Sequence, residues 1–154
     1  PDADFPRLSF FLCQQYRPEL IYVPEWLEHP NTVNGICGIN IVAEKSFHPN
    51  LMARLGKLYN NYKPVHGGFQ CQTANGVIRV LEKNEFEHSI GPLPRDLRRE
   101  KAPCIAGMDL TMSDPQIMLE FIKTSNTGFR EIESGFALTD PAGTANTILR
   151  MFSI

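Results

Sequence analysis

The chain has 154 residues, with 42% hydrophobic and 21% charged residues, the size and usage of one ordinary globular domain. Its 15 Lys+Arg against 17 Asp+Glu leave a net charge of −2, which excludes a broad basic footprint for nucleic acid and a strong acidic tail. No apolar run approaches the roughly 18 residues of a membrane span, and the start Pro1-Asp2-Ala3-Asp4-Phe5-Pro6 carries no signal core. The first residue is not methionine, and the expectation is a chain cut or processed from something longer.

In chain order, residues 1–34 read as an N-terminal strand and arm. Leu8-Ser9-Phe10-Phe11-Leu12-Cys13 has the composition of a strand, which is expected to fold back on its own sheet or to pair in a homodimer rather than stay a free edge. Pro24-Glu25-Trp26-Leu27 lies in an irregular, Pro-rich stretch. A strand over Gly38–Ala43 comes next, then a helix that starts near Pro49 and carries Leu51, Met52, Leu55, Leu58 and Tyr59 on one stripe. Three short strands follow, Tyr62–Val65, Gly68–Thr73 and Val77–Leu81, with Asn75-Gly76 as the strongest hairpin signal. The charged stretch 83–102, with Pro92, Pro94, Arg95, Arg98, Arg99 and Lys101, reads as a solvated linker whose basic patch either is simply hydrated or meets an anion.

Beyond it the pattern returns. A strand over Gly107–Met112 precedes a helix capped by Ser113 or Asp114, with Pro115 in its first turn and a stripe of Ile117, Met118, Phe121 and Ile122. Asn126 and Gly128 end that helix, and strands follow over Phe129–Glu133, Phe136–Thr139 and Thr147–Phe152. The return is a true internal repeat. Thr73-Ala74-Asn75-Gly76-Val77-Ile78-Arg79-Val80-Leu81 answers Thr144-Ala145-Asn146-Thr147-Ile148-Leu149-Arg150-Met151-Phe152; Gly68-Phe69 answers Gly135-Phe136; Gly38-Ile39-Asn40-Ile41 answers Gly107-Met108-Asp109-Leu110. The fold class is therefore α+β: two βαβββ modules, about 35–82 and 103–154, in one domain over 35–154.

Two consecutive βαβββ modules resemble the vicinal-oxygen-chelate superfamily, the glyoxalase and bleomycin-resistance fold. The stretch Phe10-Phe11-Leu12-Cys13-Gln14-Gln15, Arg17-Pro18-Glu19 and His29-Pro30-Asn31 is similar to the segment that enters the second domain of bacterial tandem glyoxalase-like proteins. The resemblance implies a curled half-barrel sheet with helices on its outer face. It also implies a C-terminal half of a longer protein, with a preceding glyoxalase-like domain or a homodimer mate as partner. In metal-dependent members the ligands come from the first and last strands of each module. Those positions fall here on Gly38 and Gly107, and at or beside Ile78-Arg79 and Leu149-Arg150, none of which suits a divalent cation.

No cofactor is expected in this chain, which should purify without stoichiometric metal, while a divalent metal would belong to the parent protein. Two functions stay open. One is a metal-free module that binds a small anionic organic molecule in the cup between modules. The other is part of a metal-dependent lyase or dioxygenase whose active centre lies in a missing N-terminal half. No catalytic residue can be named.

Candidate ligand-binding residues follow from the repeat. Arg79 and Arg150 occupy equivalent places on the final strands. Either both project into the cup and grip a carboxylate or phosphate through the planar guanidinium fork, or both are edge or outer-face residues paired with Asp or Glu. Gln70 and Gln72 on the neighbouring strand would add hydrogen bonds, and His66, before Gly67-Gly68, sits at the mouth. His29 reads as a turn residue, His48 as part of a helix start and His88 as solvated. No two imidazoles share a metal-type spacing. Cys13, Cys37, Cys71 and Cys104 have no paired short spacing and read as free thiols in a reducing, cytoplasmic setting.

Overall fold

In the computed structural model, which describes residues 5–10 and 13–153, the N-terminal arm is mostly irregular. Its described residues include a 3-10 turn, Pro18–Leu20, and a short helix, α1 (Pro24–Leu27), neither with a buried residue. The strand expected over Leu8–Cys13 is not formed at Leu8, Ser9, Phe10 or Cys13; Phe11 and Leu12 lie outside the described residues. A turn forms instead. Leu8 N–H donates to the Phe5 carbonyl at 3.1 Å, and the turn puts both side chains in the core, Phe5 fully and Leu8 almost so. The Arg54 guanidinium lies 4.6 Å from the Phe5 ring centroid.

The first unit is β1 (Val33–Val42), α2 (His48–Gly56), β2 (Tyr62–Val65), β3 (Gly68–Gln72) and β4 (Val77–Leu81). Then comes α3 (Lys83–Ser89). The second unit is β5 (Cys104–Met112), α4 (Pro115–Thr124), β6 (Phe129–Ile132), β7 (Gly135–Leu138) and β8 (Ile148–Ser153). All eight strands join one open mixed sheet in the order β2-β3-β4-β1-β5-β8-β7-β6. β1 runs antiparallel to β5 at the centre, and each first strand runs parallel to the last strand of its own unit. The edge strand β2 carries Lys63 and Pro64, which discourage pairing with a foreign strand.

Local chemistry accounts for the elements. Asp114 caps α4, its Oδ1 accepting from Gln116 N–H at 2.8 Å and Ile117 N–H at 3.0 Å. Asn126, at φ +53°, closes the helix with Thr127 N–H donating to the Ile122 carbonyl at 3.2 Å. The Asn75-Gly76 signal marks the β3–β4 turn, but Gly76 is needed for another reason. A Cβ there would stand 2.2 Å from the Cys37 carbonyl oxygen, so the glycine lets the turn meet β1.

Residues of opposite parity on the strands face opposite ways. Ile41, Phe69, Cys71 and Val80 pack with Leu51 and Leu55 of α2. Met112, Phe136 and Met151 pack with Met118 and Ile122 of α4. The outer layer of the sheet is thus α2 and α4. Val42 and Leu81, one residue along from Ile41 and Val80, pack on the other side with Phe86, Ile90, Leu93 and Leu97. This corrects the solvated linker. The stretch 83–102 is a helix and a following coil that close part of the sheet's inner face. Phe86 lies in α3, Ile90 ends it, and Leu93 and Leu97 come from the coil and the 3-10 turn Arg95–Leu97 beyond it; the surrounding charges and Pro92 and Pro94 conceal these four apolar residues in the sequence.

Candidate functional site

The inner face of the four central strands carries a charged cluster. Parallel pairing sets Asn40 beside Arg79 and, by the same rule in the second unit, Asp109 beside Arg150. The antiparallel β1–β5 pairing sets Gly38 opposite Asp109 and Gly107 opposite Asn40. The four side chains meet at the centre with the approximate two-fold symmetry of the repeat.

Asp109 is the hub. Its Oδ1 accepts from Arg150 Nε at 2.8 Å and Asn40 Nδ2 at 3.1 Å; its Oδ2 accepts from Arg79 Nη1 at 2.8 Å and Arg150 Nη2 at 2.8 Å. Arg150 grips it bidentately, the strongest geometry for this pair. Arg79 Nη1 also donates to Asn40 Oδ1 at 3.2 Å, and Arg150 Nη1 to the Ser89 carbonyl at 3.3 Å. Asn40 and Asp109 are 0% and 2% exposed, so each needs these partners. Burial first, and the Asp109 carboxylate second, push the nearby Cys37 thiol above its ordinary value.

Gly38 makes room for this cluster. A Cβ there would stand 2.6 Å from Asp109 Oδ2, whereas one on Gly107 would meet Asn40 only in ordinary contact at 3.4 Å. Any larger side chain at the Gly38 position would collide with the carboxylate that now fills the space. A divalent cation does not fit here either. Both carboxylate oxygens are saturated by four N–H donors, and two guanidiniums flank them. Among the described residues, no group of three or more His, Cys, Asp or Glu side chains could hold a metal ion.

The expected ligand-binding residues separate into two sets. Arg79, Arg150, Gln70 and His66 line one cavity of about 250 Å³, together with Val65, Leu81, Glu85, Ser89 and Ile90. Gln72 does not line it; its amide Nε2 donates to the Gly76 carbonyl at 2.9 Å and braces the hairpin. His66 Nδ1 lies 2.5 Å from Glu85 Oε2, tying the β2–β3 turn to α3. That hydrogen bond, with the charge of Glu85, holds the His66 imidazole above its ordinary value. The His48 ring stands edge-on to Phe69, His29 is exposed, and His88 borders a second cavity with Arg130, Arg150 and Phe152. Cys71 and Cys104 are buried and Cys13 is exposed, and all four thiols are free.

Asn40, Asp109 and Glu85 were not anticipated. The repeat does pair Asn40 with Asp109, and a polar pair inside otherwise apolar strands was the available signal.

No protein-family model and no curated protein matches the chain. Solved structures do. Methylmalonyl-CoA epimerase from Mycobacterium tuberculosis is similar over 79% of this chain and 89% of its own, at 11% identity and a TM-score of 0.52. A hypothetical protein from Bacillus halodurans is similar over 77% and 93%, at 11% identity and a TM-score of 0.48. A glyoxalase/bleomycin resistance protein/dioxygenase from Nocardioides is similar over 88% and 92%, at 11% identity and a TM-score of 0.32. At such identities the likeness is one of fold. With two βαβββ units side by side in one open sheet and the epimerase as structural neighbour, the chain has the fold of the vicinal-oxygen-chelate superfamily.

Proposed function

We propose that the domain binds a small organic anion in the cavity between α3 and the first unit, without a metal, and that Arg79 holds the charged end. One observation carries this reading. Arg79 bonds its internal partners through Nη1 alone, while its side chain stays 29% exposed on a cavity of about 250 Å³. Two arginines share one aspartate, so the cluster keeps an excess positive charge. Gln70 adds a neutral hydrogen-bonding group, and Val65, Leu81 and Ile90 supply apolar wall, the usual mix of a ligand site. His66 and Glu85 form its rim. Where metal-using relatives bind a cation to polarise substrate oxygens, this chain presents fixed guanidinium charge to the anion itself. The four free thiols fit a cytoplasmic setting.

A second reading is a non-catalytic companion of another domain. It is favoured by the saturation of Asp109, which leaves Arg150 with no nitrogen unbonded. Thermal-shift titration of the chain with short monocarboxylates, dicarboxylates and phosphate esters separates the two. Saturable stabilisation by one class, lost in Arg79→Gln, supports binding. Stabilisation by none of them, or the same response in Arg79→Gln, overturns it.

A further inference from the structure

The basic stretch between the units is only partly spread over open surface. Arg95 and Arg98 of that stretch converge with Arg130 of β6 on a separate cavity of about 290 Å³. Its lining includes Leu93, Ala137 and Ile148, which are 3%, 1% and 5% exposed. No Asp or Glu lines it among the described residues. It shares no lining residue with the cavity beside Arg79.

Two of the guanidiniums are held in place from behind. Arg98 Nε donates to the Leu93 carbonyl at 3.1 Å, and Arg130 Nη2 donates to the Ile90 carbonyl at 3.0 Å. Each anchor uses one nitrogen and leaves the rest of the fork for a ligand. A guanidinium restrained in this way loses less freedom on binding than a free side chain. The nearby acid Asp96 is engaged elsewhere, its Oδ2 accepting from Asn146 Nδ2 at 3.0 Å. The result is an apolar floor under a cationic rim.

Bare charge would not need the floor, and a purely apolar ligand would not need the rim. We propose that this cavity is a second binding site, for an organic carboxylate carried on a short alkyl or aryl body. The body lies on Leu93 and Ile148, and the carboxylate meets Arg98 and Arg130.

The test is a two-dimensional amide NMR titration of the whole chain with octanoate, octanol and inorganic phosphate. Octanoate is expected to shift the amides of Gly91, Leu138 and Thr139 saturably, with octanol and phosphate each about tenfold weaker or worse. The double variant Arg98→Gln, Arg130→Gln should weaken octanoate about tenfold, while Arg79→Gln leaves it unchanged. Octanol binding as well as octanoate would reveal a mere apolar cleft, and phosphate binding as well would reveal surface charge only. Either result, the absence of saturable shifts, or loss of octanoate binding in Arg79→Gln overturns the proposal. If the double variant does not fold, the comparison of octanoate with octanol on the unmodified chain still decides.

Discussion

Replacing Asp109 by asparagine probes the centre of the molecule with almost no change of shape. In the native cluster four N–H donors end on two carboxylate oxygens. Asparagine keeps one oxygen and turns the other into an NH₂ group, so the donors on that side lose their acceptor and face another donor. The charge also disappears, leaving Arg150, whose side chain is 11% exposed, without a counter-ion. Removing one partner of a buried pair costs about 3–5 kcal/mol. The Arg79 side chain is 29% exposed and recovers some hydration, so the lower half of that range applies, about 3–4 kcal/mol. For a domain of this size each kcal/mol moves Tm by about 2–4 °C, and the expected fall is therefore about 6–16 °C. Urea unfolding at neutral pH measures it directly, with Tm as a second readout. A loss below about 1 kcal/mol would show that the arginines are solvated or re-paired in the variant.

Three further changes test other parts of the reasoning. Gly38→Ala puts a Cβ 2.6 Å from Asp109 Oδ2 and should cost about 1–3 kcal/mol as an overpacked site; unaltered unfolding would mean the carboxylate is not seated against β1. Phe5→Ala empties a fully buried site against α2 and should cost about 3–5 kcal/mol, a result that an unattached arm would not give. The His66–Glu85 contact raises the imidazole pKa, so its stabilisation is full below the unfolded value of about 6.5 and fades as pH rises through the raised folded value. His66→Gln should therefore be less stable than the native chain in mildly acidic buffer and equal to it in alkaline buffer, as followed by thermal unfolding. The opposite trend would refute the pairing.

The sequence by itself determined a good deal. The repeat, the alternation along the strands and the helix stops specify two βαβββ units, because those patterns are local and are written residue by residue. β2 and β4 lie where the sequence puts them, Tyr62–Val65 and Val77–Leu81, and Asp114 caps α4 as its position before Pro115 suggests. The equivalence of Arg79 and Arg150 was likewise legible, since matching segments take matching strand positions. The apolar series Phe86, Ile90, Leu93, Leu97 was present too, but charge and two prolines hid it, and only contact with Val42, Leu81 and Ile148 shows why it is apolar. The tertiary structure alone decided what the arginines meet. Asp109 lies 30 residues from Arg79 and 41 from Arg150 along the chain, and its place between them follows from the register of β1 against β5 and from space left by Gly38. The hydrophobic alternation fixes which face each strand buries, but which residue of β1 stands opposite which of β5 depends on both strands together, and a single segment does not show it.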